Sequence, residues 1–144
     1  MKRIKIEHTD VFKAHIPHTQ WETVNSEEIR SAIIRWMKHN VKITVEQLVL
    51  QHGPKHQLFP KSITIKSQRS RWGSCGIHND ITINWLLALA PLEILEYVVV
   101  HELCHIKEKN HSKHFWSLVA QHLPNYRCAQ LWLKQHGQVL MLGL

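Results

Sequence analysis

Cysteine is scarce in this sequence and poorly spaced for bonding. Only Cys75, Cys104 and Cys128 occur. The set is odd and holds no CxxC pair, which argues against a disulfide framework and a cysteine-rich zinc knuckle. A reducing compartment is the expected setting. Glycine and proline are few, five of each, so collagen-like and low-complexity classes are excluded. Long apolar runs are missing too. Residues 85–100 form the most apolar stretch, yet Pro91, Glu93 and Glu96 interrupt it, whereas a membrane span needs roughly 20 consecutive apolar residues. The opening MKRIKIEHTD breaks each apolar run with charge and does not read as a signal peptide. A soluble, cytoplasmic protein without membrane contact is expected.

Acidic side chains are in short supply: 11 Asp and Glu against 18 Lys and Arg, a formal charge of +7. That balance permits contact with nucleic acid, nucleotides or anionic surfaces and establishes none of them. What the chain does have is 44% hydrophobic residues over 144 positions, enough for one domain with a buried core. It also has 13 histidines. Imidazole is the commonest metal ligand among side chains, so their spacing matters.

The whole of 1–144 reads as a single domain, with a short, mostly helical part over 1–60 and a core over 61–144. Short alternating stretches before Thr19 predict a strand. Asn25 with Glu28 three residues on marks a helix start, and Ile29, Ile33, Trp36 and Met37 follow at helical spacing. Thr44 with Gln47 predicts a second start, ended by Gly53-Pro54. Residues 62–68 and 80–85 alternate, and a turn at His78-Asn79-Asp80 separates them from Arg71-Trp72-Gly73-Ser74-Cys75. Two or three short antiparallel strands are expected. From Leu92 to Lys109 the chain predicts a helix apolar on most sides, which is normally buried. Further helices are expected over 112–122, stopped by Pro124, and over 125–136, ended by Gly137. The fold class is therefore α+β, with a small antiparallel sheet packed on a buried helix and flanking helices around it.

Inside that buried helix stands His101-Glu102-Leu103-Cys104-His105, an HExxH pattern. Four helical residues turn about 400°, so the two imidazoles lie about 40° apart, one turn above the other. Both can reach one ion at roughly 2.0–2.1 Å. Glu102 points about 100° away, close enough to take a proton from a water activated by the ion without ligating it. This is the arrangement of a zinc hydrolase. The pattern also arises by chance, but two imidazoles and a carboxylate buried without a partner would be costly. Coordination supplies the partner.

A catalytic zinc usually takes three protein ligands and keeps one open position. Glu108, His111 and His114 are the candidates. Glu108 is seven residues from His101, about 10 Å along an unbroken helix. His111 follows Asn110, a residue type that tolerates the left-handed turn ending many helices, so a chain reversing there brings His111 beneath the ion. His111 is preferred, and His114, about one turn on, is the reserve.

These residues resemble the YgjP-like metal-dependent hydrolases, a family classed with the zincin metallopeptidases and called minigluzincin-like. Three segments carry the resemblance: Arg71 to Cys75; Ile81 to Trp85, running into Leu89-Ala90-Pro91; and Tyr97 to His105, followed by Asn110-His111-Ser112 and Phe115-Trp116. It implies a zinc site of His101, His105 and His111, with Glu102 as general base, on a helix packed against a small antiparallel sheet. The HExxH pattern also resembles the SprT-like proteases, but no separate zinc ribbon or DNA-binding segment is present.

Around this centre several residues invite two readings. Lys61, Lys66, Arg69 and Arg71 form a basic stretch with no acidic residue from Lys61 to Asn79. Arg69 or Arg71 could hold a phosphate or carboxylate of a substrate through a bidentate fork, or all four could be a solvated strand face. Asn84 could orient substrate or a loop. Trp72, Trp85, Trp116 and Trp132 are expected in the core, with Trp116 anchoring the third-ligand segment. Cys104 reads as a small buried filler.

Three functions compete. The first is a zinc-dependent metallopeptidase, with one zinc ion or another divalent metal, in which the exposed sheet edge takes up an extended peptide. The second is hydrolysis of a nucleotide phosphoanhydride, since the resembled family includes members labelled UTP pyrophosphatase. The third is a nucleic-acid-binding module with a structural zinc, in which Glu102 has no role; nucleic acid is the least expected partner.

Overall fold

Asn25 opens the first long helix as its spacing predicts: its Oδ1 accepts from the Glu28 N–H at 2.9 Å. The computed structural model describes residues 25–143 and two strands before them, β1 (Lys5–His8) and β2 (Phe12–His15), paired antiparallel. Helix α1 then runs unbroken over Ser26–His52. The second start expected at Thr44 does not occur. Thr44 turns its hydroxyl back to the Asn40 carbonyl at 2.9 Å and leaves the helix intact. The buried stripe Met37, Val41, Val45 and Leu48 passes straight through this point, and its burial holds the helix continuous.

The sheet comprises β3 (Ser62–Lys66), β4 (Gly73–Cys75) and β5 (Asp80–Asn84) in the order β3-β5-β4. It is mixed, which corrects the antiparallel expectation. β4 and β5 form the expected antiparallel hairpin, with Ser74 opposite Thr82. β3 pairs parallel to β5, with Thr64 opposite Thr82. At the centre, β5 buries Ile81 and Ile83 to 1% and 0% exposure. Among the described residues β3 and β4 are the edges.

Helix α2 (Leu92–Lys107) crosses behind the sheet and carries the core. Val98, Val99, Val100, Leu103 and Cys104 are all buried, so it is apolar on most sides as expected. It ends at Glu108 in extended conformation, and Asn110 is not left-handed. Helix α3 (Lys113–His122) starts on a Ser112 cap, whose Oγ accepts from the Phe115 N–H at 3.3 Å. Helix α4 (Tyr126–Met141) continues past Gly137, which corrects the predicted stop. Gly137 packs beside the Trp72 ring, which a Cβ would meet at an ordinary contact distance of 3.4 Å. Trp85 is buried, and Trp72, Trp116 and Trp132 pack half-buried on the core. Among the described residues no helix is long and apolar enough to cross a membrane.

Candidate metal centre

Three side chains converge at the end of α2. His111 Nε2 lies 3.1 Å from His105 Nε2 and 3.2 Å from His101 Nε2. Among the described residues this is the group of three that could hold a metal ion. Ligands at 2.0–2.1 Å on a tetrahedral ion lie about 3.3 Å apart, close to these two separations. His114 is exposed on α3 and outside this group.

Each imidazole is held in place. His105 Nδ1–H donates to the Glu108 carbonyl at 2.9 Å, which leaves the Nε2 lone pair for a metal. The Glu108 carboxylate has no part in this; its backbone does, because α2 ends there. Phe115, fully buried, stacks on His105 at 4.3 Å between centroids. Trp116 stacks on His111 at 5.9 Å and on Tyr126 at 5.4 Å, so it anchors the third-ligand segment. The Tyr97 hydroxyl sits 3.4 Å from His101 Nδ1, long for a hydrogen bond. Neither Tyr97 nor the Glu108 carbonyl was singled out from the sequence. The i, i+4 spacing of Tyr97 and His101 on a helix was the available signal for one of them.

Burial sets the charge state of the site. Desolvation, then the neighbouring charges of His105 and His111, lower the His101 pKa to about 3. Desolvation also lowers that of His105. Neutral imidazoles are what a metal requires. Glu102 is 7% exposed, and desolvation raises its pKa to about 7, with Arg71 pulling the other way. A carboxyl poised there can both accept and return a proton near neutrality. Gly73 on β4 gives Glu102 its space. A Cβ at Gly73 would fall 3.0 Å from Glu102 Cγ and 3.1 Å from Oε2.

The remaining candidates separate. Arg71 lines a cavity together with His101 and Glu102. Arg69 lines a different depression, with Lys134 and Gln138, and does not join the site. Asn84 is 0% exposed. Its Nδ2 donates to the Gln68 and Arg71 carbonyls at 3.0 and 2.9 Å, and its Oδ1 accepts from the Leu86 N–H at 3.0 Å. Of its two expected roles, this geometry is the loop-holding one.

Known proteins resemble this chain in sequence and in fold. The family model described as YgjP-like, metallopeptidase domain, matches residues 2–136. A crystal structure of the metallopeptidase zymogen of Methanocaldococcus jannaschii jannalysin superposes with a TM-score of 0.53 at 21% identity, covering 69% of this chain and 96% of that one. That likeness is one of fold. The UTP pyrophosphatase of Escherichia coli (strain K12) is 38% identical over 60 residues, 39% of this chain and 36% of that protein. The chain thus spans about a third of the length of this curated relative.

Proposed function

Because the chain belongs to the YgjP-like family of metallopeptidase domains and is a metal-dependent hydrolase, we propose that it is a zinc peptidase. His101, His105 and His111 are the proposed ligands and Glu102 the general base. The observation that carries this reading is the convergence of three Nε2 atoms within 4.8 Å beside a buried carboxyl. Three imidazole donors suit zinc among the common divalent metals, although geometry and availability also select. When bound, zinc supplies Lewis acidity, lowering the pKa of a water and polarising a carbonyl.

The chain's own groups do the rest. Glu102 takes the proton of the attacking water and delivers it to the departing amine nitrogen. The oxygen joins the carbonyl carbon as the C–N bond breaks. Gly73 keeps Glu102 against β4. That strand is an edge, and an extended peptide added to it would run past the carboxyl.

A second reading, cleavage of a nucleotide phosphoanhydride at the same metal site, draws support from the name of the E. coli relative. Of Lys61, Lys66, Arg69 and Arg71, only Arg71 lines the cavity beside the ligands. A triphosphate there would meet one protein cation.

The deciding experiment compares zinc-loaded wild type with Glu102→Gln on a peptide library and on the four nucleoside triphosphates. Peptide cleavage is expected to fall by about 10²–10⁴-fold in the variant with metal content unchanged. Glu102-dependent pyrophosphate release without peptide cleavage would replace the peptidase reading by the nucleotide one.

A further inference from the structure

Beside His101 lies a cavity of about 260 Å³. Trp72, Tyr97, Val98 and Leu133 line it with apolar surface, together with His101 and Glu102. Arg71 is the only Lys or Arg among its described lining residues. The Arg71 backbone is fixed. Asn84 Nδ2 holds the Arg71 carbonyl at 2.9 Å and the Gln68 carbonyl at 3.0 Å. Trp85 Nε1–H donates to Ser67 Oγ at 2.7 Å. Asn84 and Trp85 are both buried, so the loop is tied to the core at three points. The side chain it presents is exposed, and no described carboxylate forms an ion pair with it. A cation is thus carried on a rigid base beside the candidate centre, felt by the Glu102 carboxyl across the cavity but held in no ion pair among the described residues.

We infer that this cavity receives the last residue of a peptide, with the Arg71 guanidinium holding its free carboxylate. The inference rests on the peptidase reading above and specifies its substrate: a chain cut close to its C-terminus, ending in an apolar or aromatic side chain. Charge and size select this ligand. One guanidinium matches one carboxylate in a bidentate fork, whereas a triphosphate needs several cations. The volume lies just below the 300–1,000 Å³ usual for drug-sized ligands, which suits one side chain. The four apolar walls suit an apolar one. A glutamate side chain could also bring a carboxylate to Arg71, but it would leave those walls unfilled.

Calorimetry on the zinc-loaded protein tests this with N-acetyl-phenylalanine and N-acetyl-phenylalaninamide as probes. The acid is expected to bind at least tenfold more tightly than the amide. That preference should vanish in Arg71→Gln and return in part in Arg71→Lys. Equal binding of acid and amide overturns the inference. So does an acid preference that survives Arg71→Gln, because the carboxylate would then be on the metal. Tighter, Arg71-dependent binding of pyrophosphate overturns it in favour of a phosphate site. Cleavage is read separately on matched peptides with free and amidated C-termini. Faster cleavage of the free form, by tenfold or more and through Arg71, is expected. Preferential cleavage of amidated peptides ending in glutamate would move the carboxylate to the side chain and overturn the assignment. If no peptide is cut while the acid preference through Arg71 remains, the peptidase reading fails and the carboxylate site stands.

Discussion

Glu102 rests against the one position of β4 that has no side chain. A methyl at Gly73 would meet Glu102 Cγ at 3.0 Å and the Thr82 carbonyl at 3.1 Å. The backbone side cannot yield, so the carboxyl must. Gly73→Ala is expected to push the carboxyl aside by a few tenths of an ångström, to lower turnover by up to about 10-fold, since a full 1 Å can cost about 100-fold, and to leave metal content unchanged. Steady-state rates alongside metal analysis check this. The ligand assignment has its own test. His111→Ala should lose the metal and His114→Ala keep it, as read by mass spectrometry of the intact protein. Full occupancy in His111→Ala would remove His111 from the site. At this scale the HExxH pair was legible because helical geometry alone brings His101 and His105 together. The Gly73 contact was not, because it joins residues 29 positions apart.

At the scale of elements, a chain of hydrogen bonds ties three helices together away from the metal. His52 Nε2 contacts the Glu96 carboxylate at 2.8 Å, and His52 Nδ1 contacts His122 Nδ1 at 3.2 Å. His122 Nε2 then meets His56 Nδ1 at 2.8 Å, and His56 Nε2 meets Gln121 Oε1 at 2.8 Å. Each imidazole–imidazole contact holds one proton between two nitrogens; a second would set two N–H groups face to face. Desolvation, then the charges of His56, His52 and Lys55, lower the His122 pKa to about 4. An unfolded histidine titrates near 6.5. Between these values the unfolded chain binds the extra proton, so stability falls as pH drops from 6.5 to 4. The loss is expected on the order of 1–2 kcal/mol once solvent screening at the exposed end is allowed for. Urea unfolding across that range measures it, and a flat profile would contradict it. Helix α4 offers a test of opposite sign. Gly137 is helical, and a Cβ there would only touch Trp72 at 3.4 Å. Gly137→Ala should stabilise by about 0.5–1 kcal/mol, seen as a higher urea midpoint.

Element starts were legible where the signal was local. The Asn25 and Ser112 caps each act on the N–H three residues on. Signals that meant something else misled. Thr44 resembled a cap but bonds backwards to Asn40. Gly137 resembled a stop but lies inside α4 with helical backbone. Strand direction between β3 and β5 depends on how residues 67–72 cross the sheet, held by long-range bonds from Asn84 and Trp85 that no local pattern encodes. The histidine chain was invisible for the same reason, since His52 and His122 are 70 positions apart.

For the whole molecule, metal and stability are linked. An ion that binds only the folded chain stabilises it by about 2.7 kcal/mol at a hundred times its dissociation constant. The thermal midpoint should therefore rise on adding zinc and fall back with a chelator. An unchanged midpoint at saturating zinc would contradict the three-histidine site. The three donors all fall within residues 101–111, so drawing them together closes only a short loop and costs little chain entropy. The residues around the three histidines come from further along the chain: Gly73 and Arg71 about 30 positions before His101, and Tyr126 15 after His111. On the proposed assignment the three donors are neighbours in sequence, whereas the groups set around them are brought in only by the tertiary fold.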